Sequence, residues 1–517
     1  VRMAFCCVTS ACIQGLQVEM IRVEADISNG LPMLHMVGYL SSEVKEAADR
    51  VRTALRNADV KLPPKKIMVN LAPATLRKKG ASYDLPIAVS ILAALGMIPP
   101  DRLENLLIVG ELSLDGSVKK VPGILPVVWQ ARKAGLRACI VPEGNGPEGA
   151  LAEGISVIGV SHIRQLLAYL NGEIELCPFS GEGAGNVQIA EKNTDFSEVR
   201  GQQAVKRAAE VAAAGGHNLL LVGPPGSGKS MIARRIPTIL PPPAWEESLE
   251  MTSVYSVLGL VDERRPLITE RPFREVHHTV TKAALIGGGR TPAPGEISLA
   301  HGGVLFLDEL TEFQKPVLEV LRQPLEEHTV CIARTHGTYR FPANFMLVAA
   351  MNPCPCGNYP DLGKCSCTPG QIRQYLGKIS QPFLDRIDLC VEAPKAAYED
   401  LRLSREGTPP KEETSREIRD RVCRARKIQE SRYLGTGIRA NAQLDSKSLE
   451  QYCALDREGE KLMQKAFQAL DLTARTYHKI LKTARTIADL EESDRILARH
   501  LKEAVGYRTM DKKYWGR

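Results

Sequence analysis

Gly223, Pro224, Pro225, Gly226, Ser227, Gly228, Lys229 and Ser230 have the residue types and spacing of a loop that cradles phosphate. They follow an apolar run, Asn218-Leu-Leu-Leu-Val222, that reads as a buried strand. A strand feeding such a loop and then a helix turns backbone N–H groups and a helix N-terminus toward one anion. In that arrangement Lys229 reaches the β- and γ-phosphates, and the Ser230 hydroxyl can hold Mg²⁺. A second apolar strand, Val304-Leu-Phe-Leu307, runs straight into Asp308 and Glu309. A carboxylate pair at a strand exit is what ATP hydrolysis needs, with Asp308 supporting Mg²⁺ and Glu309 polarising the attacking water. A third, Phe345-Met-Leu-Val-Ala-Ala-Met351, ends in Asn352, a polar side chain that can orient water beside the γ-phosphate. ATP and Mg²⁺ are the expected ligands.

The elements that must position these groups are an alternating α/β pattern beginning at Asp195. Before it, residues 1–170 mix strands (Val18–Asp26, Lys66–Leu71, Leu106–Leu112, Ala138–Val141) with helices (Ser42–Ala58, Asp84–Leu95, Val127–Ala134), an α+β pattern. Residues 171–194, rich in glycine and polar residues, read as a linker, 195–399 as the nucleotide domain, and 400–517 as a helical region. A chain of 517 residues predicts two to four domains, with cores large enough to need no disulfide staples. The net charge of +7 permits a nucleic-acid partner without demanding one. No run reaches the ~18 apolar residues of a membrane span, and no signal-peptide pattern opens the sequence. A cytoplasmic setting is expected, with the 13 cysteines as thiols or metal ligands and no membrane partner.

Three further features surround the ATP site. His277-His278 lack a carboxylate or cysteine at ligand spacing, so a structural or subunit-contact role is expected over a metal site. Residues 329–341 alternate at period two about Gly337 and predict a β-hairpin carrying Arg334, His336 and Arg340 near its tip. Cys354, Cys356, Cys365 and Cys367 form a four-thiol set on a loop with Gly357, Pro360 and Gly363. Four thiolates suit a closed, structural Zn²⁺ site; plain reduced thiols or a labile redox site is the other reading.

With these motifs together the chain resembles the magnesium-chelatase-like AAA+ ATPases, and within them the ComM/YifB family. The resemblance rests on the phosphate loop, on His277-His278-Thr279 with Gly287-Gly-Gly-Arg290, and on Gly295 through Glu309. Asn352-Pro-Cys-Pro-Cys-Gly357, Pro369-Gly-Gln-Ile-Arg-Gln-Tyr375, Phe383-Leu-Asp-Arg-Ile-Asp-Leu389 and Leu472 through Leu490 complete it. It covers nearly the whole chain. It implies a P-loop α/β core with a helical lid, an Arg386 that serves as arginine finger to a neighbouring subunit, and a sensor-2 arginine at Arg475, with Arg485 as the competing candidate. Asn352 then corresponds to the sensing asparagine.

The front domain resembles Lon-protease-like, ribosomal-S5-like domains through Gly30–Gly38, Val69–Ala74, Lys79–Pro86, Gly110–Gly116 and Ile140–Asn145. Ser82 falls near the nucleophile position, yet Pro122-Gly-Ile-Leu-Pro126 holds no lysine to activate it. No peptidase activity is expected. The resemblance implies a hexameric ring that moves DNA, in branch migration or as a helicase during natural transformation, with Arg334 or Arg340 of the hairpin gripping the phosphate backbone. A magnesium-chelatase motor subunit and a protein-remodelling ATPase are the rivals.

Overall fold

A computed structural model describes residues 5–181, 194–289, 292–334, 337–395 and 412–516. Arg290, His336, most of the expected linker (182–193) and the stretch around Pro409-Pro410 lie outside the described residues.

The chain forms two compact units. The first is built on a seven-stranded mixed sheet. Phe5–Gln14 and Gln17–Ser28 pair antiparallel from Phe5↔Asp26 to Gln14↔Gln17. Gly15 makes the turn between them at φ +71°, a conformation that costs glycine little. Met33–Val37, Lys66–Ala72, Leu106–Ile108, Ala138–Pro142 and Ser156–Val160 complete the sheet. The helix Asp84–Ala94 is apolar on all sides and wholly buried against the first two strands. Its one charged residue, Asp84, is paired with Arg50 at 2.8 Å. The expected helix over Ser42–Ala58 is present as two, Ser42–Lys45 and Ala47–Asn57.

The second unit is a five-stranded parallel sheet. Its strands lie in the order Phe273–Val276, Val304–Leu307, Met346–Met351, Leu219–Val222, Leu389–Glu392. The strand that feeds the phosphate loop is therefore interior, as its unbroken apolar run requires. The C-terminal helices, among them Ser415–Arg432 and Ala474–Leu490, share one hydrophobic core with this sheet. Ile418, Val422, Ile480 and Ile487 belong to the same cluster as Leu219, Val304 and Val348. Polar ties reinforce the packing: Gln429 donates to the Ala214 carbonyl at 3.0 Å, and His217 Nε2 meets Thr486 Oγ1 at 2.8 Å. The expected fold class, α/β with a helical region behind an α+β domain, is what the structure has.

The span 195–399 is shared between the units: Ala244–Thr269 and Cys331–Phe341 group with the first. The physical reason lies in packing. The buried side of the helix Trp245–Val257, which mixes Leu249, Met251 and Val254 with Ser248, Thr252 and Ser256, places Leu249 in a cluster with Val121, Ile124 and Val128. Ser256 also hydrogen-bonds Glu148.

Candidate active site

Parallel register brings the chemistry to one edge of the second unit's sheet. Val222 pairs with Met351, Leu307 with Ala349, and Val276 with Leu307. The residues just past these strands, Gly223, Asn352, Asp308 and Glu309, therefore emerge side by side at the carboxyl ends, where ligands bind in open α/β sheets.

The loop has the geometry its sequence demands. Gly226 and Gly228 adopt φ +74° and +80°, and Gly228 caps the helix Lys229–Ala233. A Cβ on Gly223 would meet the Ala393 carbonyl oxygen at 2.2 Å, so only glycine fits there. Lys229 is 8% exposed, and its Nζ donates to the carbonyls of Gly223 (2.7 Å) and Pro224 (2.9 Å) and to Asn352 Oδ1 (3.2 Å). Burial pushes its ammonium below the usual lysine range, with Asp308 opposing. Ser230 Oγ donates to Asp308 Oδ2 at 2.6 Å. A hydroxyl and a carboxylate oxygen on one point are the hard ligands Mg²⁺ takes, so these residues fit the ion. Gly226, Gly228, Lys229, Ser230, Asp308, Glu309 and Asn352 line one cavity of about 1200 Å³.

Glu309 is exposed and sits at φ +51°, rare for a residue with a side chain. His278 Nδ1 lies 3.3 Å from its Oε2. The His278 ring lies tilted against His277, centroids 4.0 Å apart at 35°, and is set edge-on to Phe313 at 6.5 Å. Sequence reasoning gave His278 no place beside Glu309. The signal was register: each stands two residues past a paired position, Val276 and Leu307.

Arg386 and Arg475 do not line this cavity. Both meet Glu326, Arg386 at 2.8 Å and Arg475 at 2.5 Å. Burial would raise the Glu326 carboxyl, but its bonds to Arg475 and Arg386 hold it below the usual range. The Arg386 side chain is 7% exposed and also donates to the carbonyls of Arg322 and Pro382. Arg475 is 45% exposed. Arg485, the competing candidate, is 2% exposed and spends its guanidinium on Asp489 and on the carbonyls of Ser493 and Asp494. It is a packing residue of the helical region.

The hairpin forms from Thr329–Arg334 and Gly337–Pro342, with Arg334 and Arg340 both exposed. Tyr339, on the same strand as Arg340, donates to Gln14 at 3.1 Å. Cys354, Cys356, Cys365 and Cys367 place their sulfurs within 4.8 Å of one another and form a group able to hold a metal ion. The Asn358 N–H draws the Cys356 thiol down, whereas Cys365 and Cys367, despite backbone hydrogen bonds that lower them, are pushed up by burial and by their bonds to Cys356 and Cys354. In the first unit, the helix Ile124–Lys133 carries no lysine before Lys133, so Ser82 gains no partner from that turn.

The family model for magnesium chelatase, subunit ChlI, matches residues 195–401. Models for subunit ChlI of Mg-chelatase and for the ChlI C-terminal region match 23–145 and 412–508. Competence protein ComM of Haemophilus influenzae is 42% identical over 513 residues, 98% of each chain. The chain belongs to the ComM/YifB family. Protein YifB of Escherichia coli is likewise 42% identical, over 96% of each chain. A 142-residue stretch, 27% of this ComM/YifB chain, is 30% identical to Lon protease 2 of Bacillus subtilis. Among the described residues, no helix of this family member is long and apolar enough to cross a membrane.

Proposed function

We propose that this chain is a cytoplasmic ATPase that assembles as a hexameric ring and moves DNA, in branch migration or as a helicase, during transformation or recombination. The carrying observation is the convergence of Lys229, Ser230, Asp308, Glu309 and Asn352 on one cavity, in a chain that matches a competence protein end to end.

ATP binds with its phosphates on the Gly223–Ser230 loop. A phosphate oxygen is a stronger acceptor than a carbonyl, so Lys229 exchanges its bonds to Gly223 and Pro224 for the β- and γ-phosphates. Ser230 and Asp308 would hold Mg²⁺, which neutralises charge on the phosphates. Glu309 accepts the proton of the attacking water, and Asn352 orients that water. Arg386 acts as finger to a neighbouring subunit's ATP, and Arg475 as the sensor-2 charge. Their shared bond to Glu326 holds both until a phosphate competes. Arg334 and Arg340 supply exposed cations for the DNA backbone. The four thiols take a structural Zn²⁺.

The test is ATP hydrolysis without DNA and with single-stranded DNA, forked duplex or a four-way junction, using Lys229→Ala as blank. Stimulation by branched or single-stranded DNA, reduced in the Arg334→Ala, Arg340→Ala double variant, is expected. Hydrolysis indifferent to every DNA overturns the DNA motor and turns the search to a chelatase-like or remodelled protein partner.

A further inference from the structure

The thiol cluster is built into the wall of the nucleotide cavity. Cys354 Sγ lies 3.4 Å from Cys356 Sγ and 3.8 Å from Cys365 Sγ, and Cys356 lies 3.6 Å from Cys365. Four sulfurs each ~2.3 Å from one tetrahedral zinc stand about 3.8 Å apart, so the set is shaped for a single ion. Soft thiolates in a closed tetrahedron select zinc over the hard cation that the phosphates need.

Three contacts join this cluster to the ATP machinery. A Cβ on Gly357 would meet Pro225 Cδ at 2.3 Å, so the backbone just past Cys356 lies directly on the phosphate loop. Pro355, Cys356, Ser366 and Cys367 line the same cavity as Lys229 and Asp308. The helix Pro369–Leu376 begins two residues after Cys367, and its Tyr375 hydroxyl accepts from Thr311 Oγ1 at 2.6 Å. Thr311 is two residues beyond Glu309. The loop from Cys354 to Cys367 thus bears on the phosphate loop at one end and on the turn after the acidic pair at the other.

We propose that one Zn²⁺ held by Cys354, Cys356, Cys365 and Cys367 fixes this wall, so that zinc occupancy and nucleotide affinity are coupled. The inference rests on the reading of the cavity as an ATP site. Without the ion, only weak thiol–thiol hydrogen bonds draw the four sulfurs together, and the loop's seat on Pro225 loosens. Coupling between two ligands is reciprocal: nucleotide must tighten zinc by the same factor by which zinc tightens nucleotide.

The experiment uses the full chain. Zinc per chain is measured by elemental analysis, and binding of a fluorescent ATP analogue is compared for zinc-loaded, chelator-stripped and zinc-restored protein. One zinc per chain is expected, with affinity falling about tenfold on stripping, within the usual range for linked sites, and returning on restoration. The Cys365→Ser, Cys367→Ser variant should match stripped protein. Because that variant can fail to fold, zinc affinity of the wild type is also measured by chelator competition, with and without the analogue, and should shift by the same factor. Absence of stoichiometric zinc overturns the proposal, and so does one zinc with unchanged nucleotide affinity. Zinc-loaded protein that binds no analogue, while Lys229→Ala behaves identically, overturns the ATP reading itself; zinc content separates that result from failure of the metal site.

Discussion

His278 Nδ1 lies 3.3 Å from Glu309 Oε2, across two parallel strands whose register sets the two residues level. Glu309 has a left-handed backbone at φ +51° and an exposed side chain, so little else fixes where its carboxylate points. Removing the imidazole should therefore loosen the proposed base without touching the phosphate loop. His278→Ala is expected to lower kcat about 10- to 100-fold, the cost of a misplaced catalytic group, while nucleotide affinity stays at the wild-type value. In a double-mutant cycle with Glu309→Gln, the second substitution should add little to the first. Equal losses in the two backgrounds would show that His278 acts elsewhere.

The parts legible in the sequence are those written by local spacing. The phosphate loop, the Asp308-Glu309 pair and the hairpin about Gly337 each depend on residues close in sequence, and each is present. The cysteine set spans only Cys354 to Cys367 and closes into one group. The partners of His278, Arg386 and Arg475 were not legible, because they depend on which strands lie side by side and on helix packing. By distance in sequence, Asp385 and Asp388 are the carboxylates nearest Arg386. Its partner is Glu326, sixty residues away, while Asp388 is engaged by Lys479 at 3.0 Å. The assignment of Ala244–Thr269 to the first unit was hidden for the same reason, since a helix that buries Ser248, Thr252 and Ser256 beside Leu249 and Met251 has no apolar stripe to say which core it joins.

Arg475 and Arg485 share a helix and should fail in different ways. Arg485 is buried against a buried Asp489 and also binds two partly buried backbone carbonyls, so Arg485→Ala should cost about 3 kcal/mol of stability. The lower end of the range for a broken buried pair applies because Arg432 remains on Asp489 at 2.6 Å. Arg475 makes an exposed pair, worth about 1 kcal/mol or less. Its loss should leave the denaturation midpoint nearly unchanged and lower hydrolysis instead. Chemical denaturation beside steady-state hydrolysis distinguishes them; a large stability loss in Arg475→Ala with normal turnover would remove it from the catalytic set.

Acid should weaken the second unit before its carboxylates titrate. Burial holds His217 below the ordinary histidine range, against the opposing pull of Asp388, and burial does the same to His328. The unfolded chain takes up protons near pH 6.5 while the folded one does not, so stability is full above that pH and falls as the pH drops below it. Each such histidine contributes a slope of at most about 1.4 kcal/mol per pH unit. His217→Gln should flatten the fall in melting temperature between about pH 6.5 and 5, leaving the share due to His328. An unchanged slope would mean that His217 takes up its proton in the folded state.

The position of Arg386 gives a test of subunit cooperation. Its side chain is 7% exposed, bound to Glu326, and apart from the cavity that holds Lys229 and Asp308. If it serves its own subunit's ATP, mixing mutants cannot help. If it serves a neighbour's, a Lys229→Ala subunit, dead in its own site, still carries an intact finger for the next one. Arg386→Ala alone should lose about 10³-fold or more in turnover, the usual worth of an arginine finger. Mixing it with Lys229→Ala should recover part of the activity, rising and then falling with the mixing ratio, because only junctions that pair an intact site with an intact finger turn over. A mixture no more active than its components would place Arg386 in the structural framework around Glu326 and remove the trans contact from the mechanism.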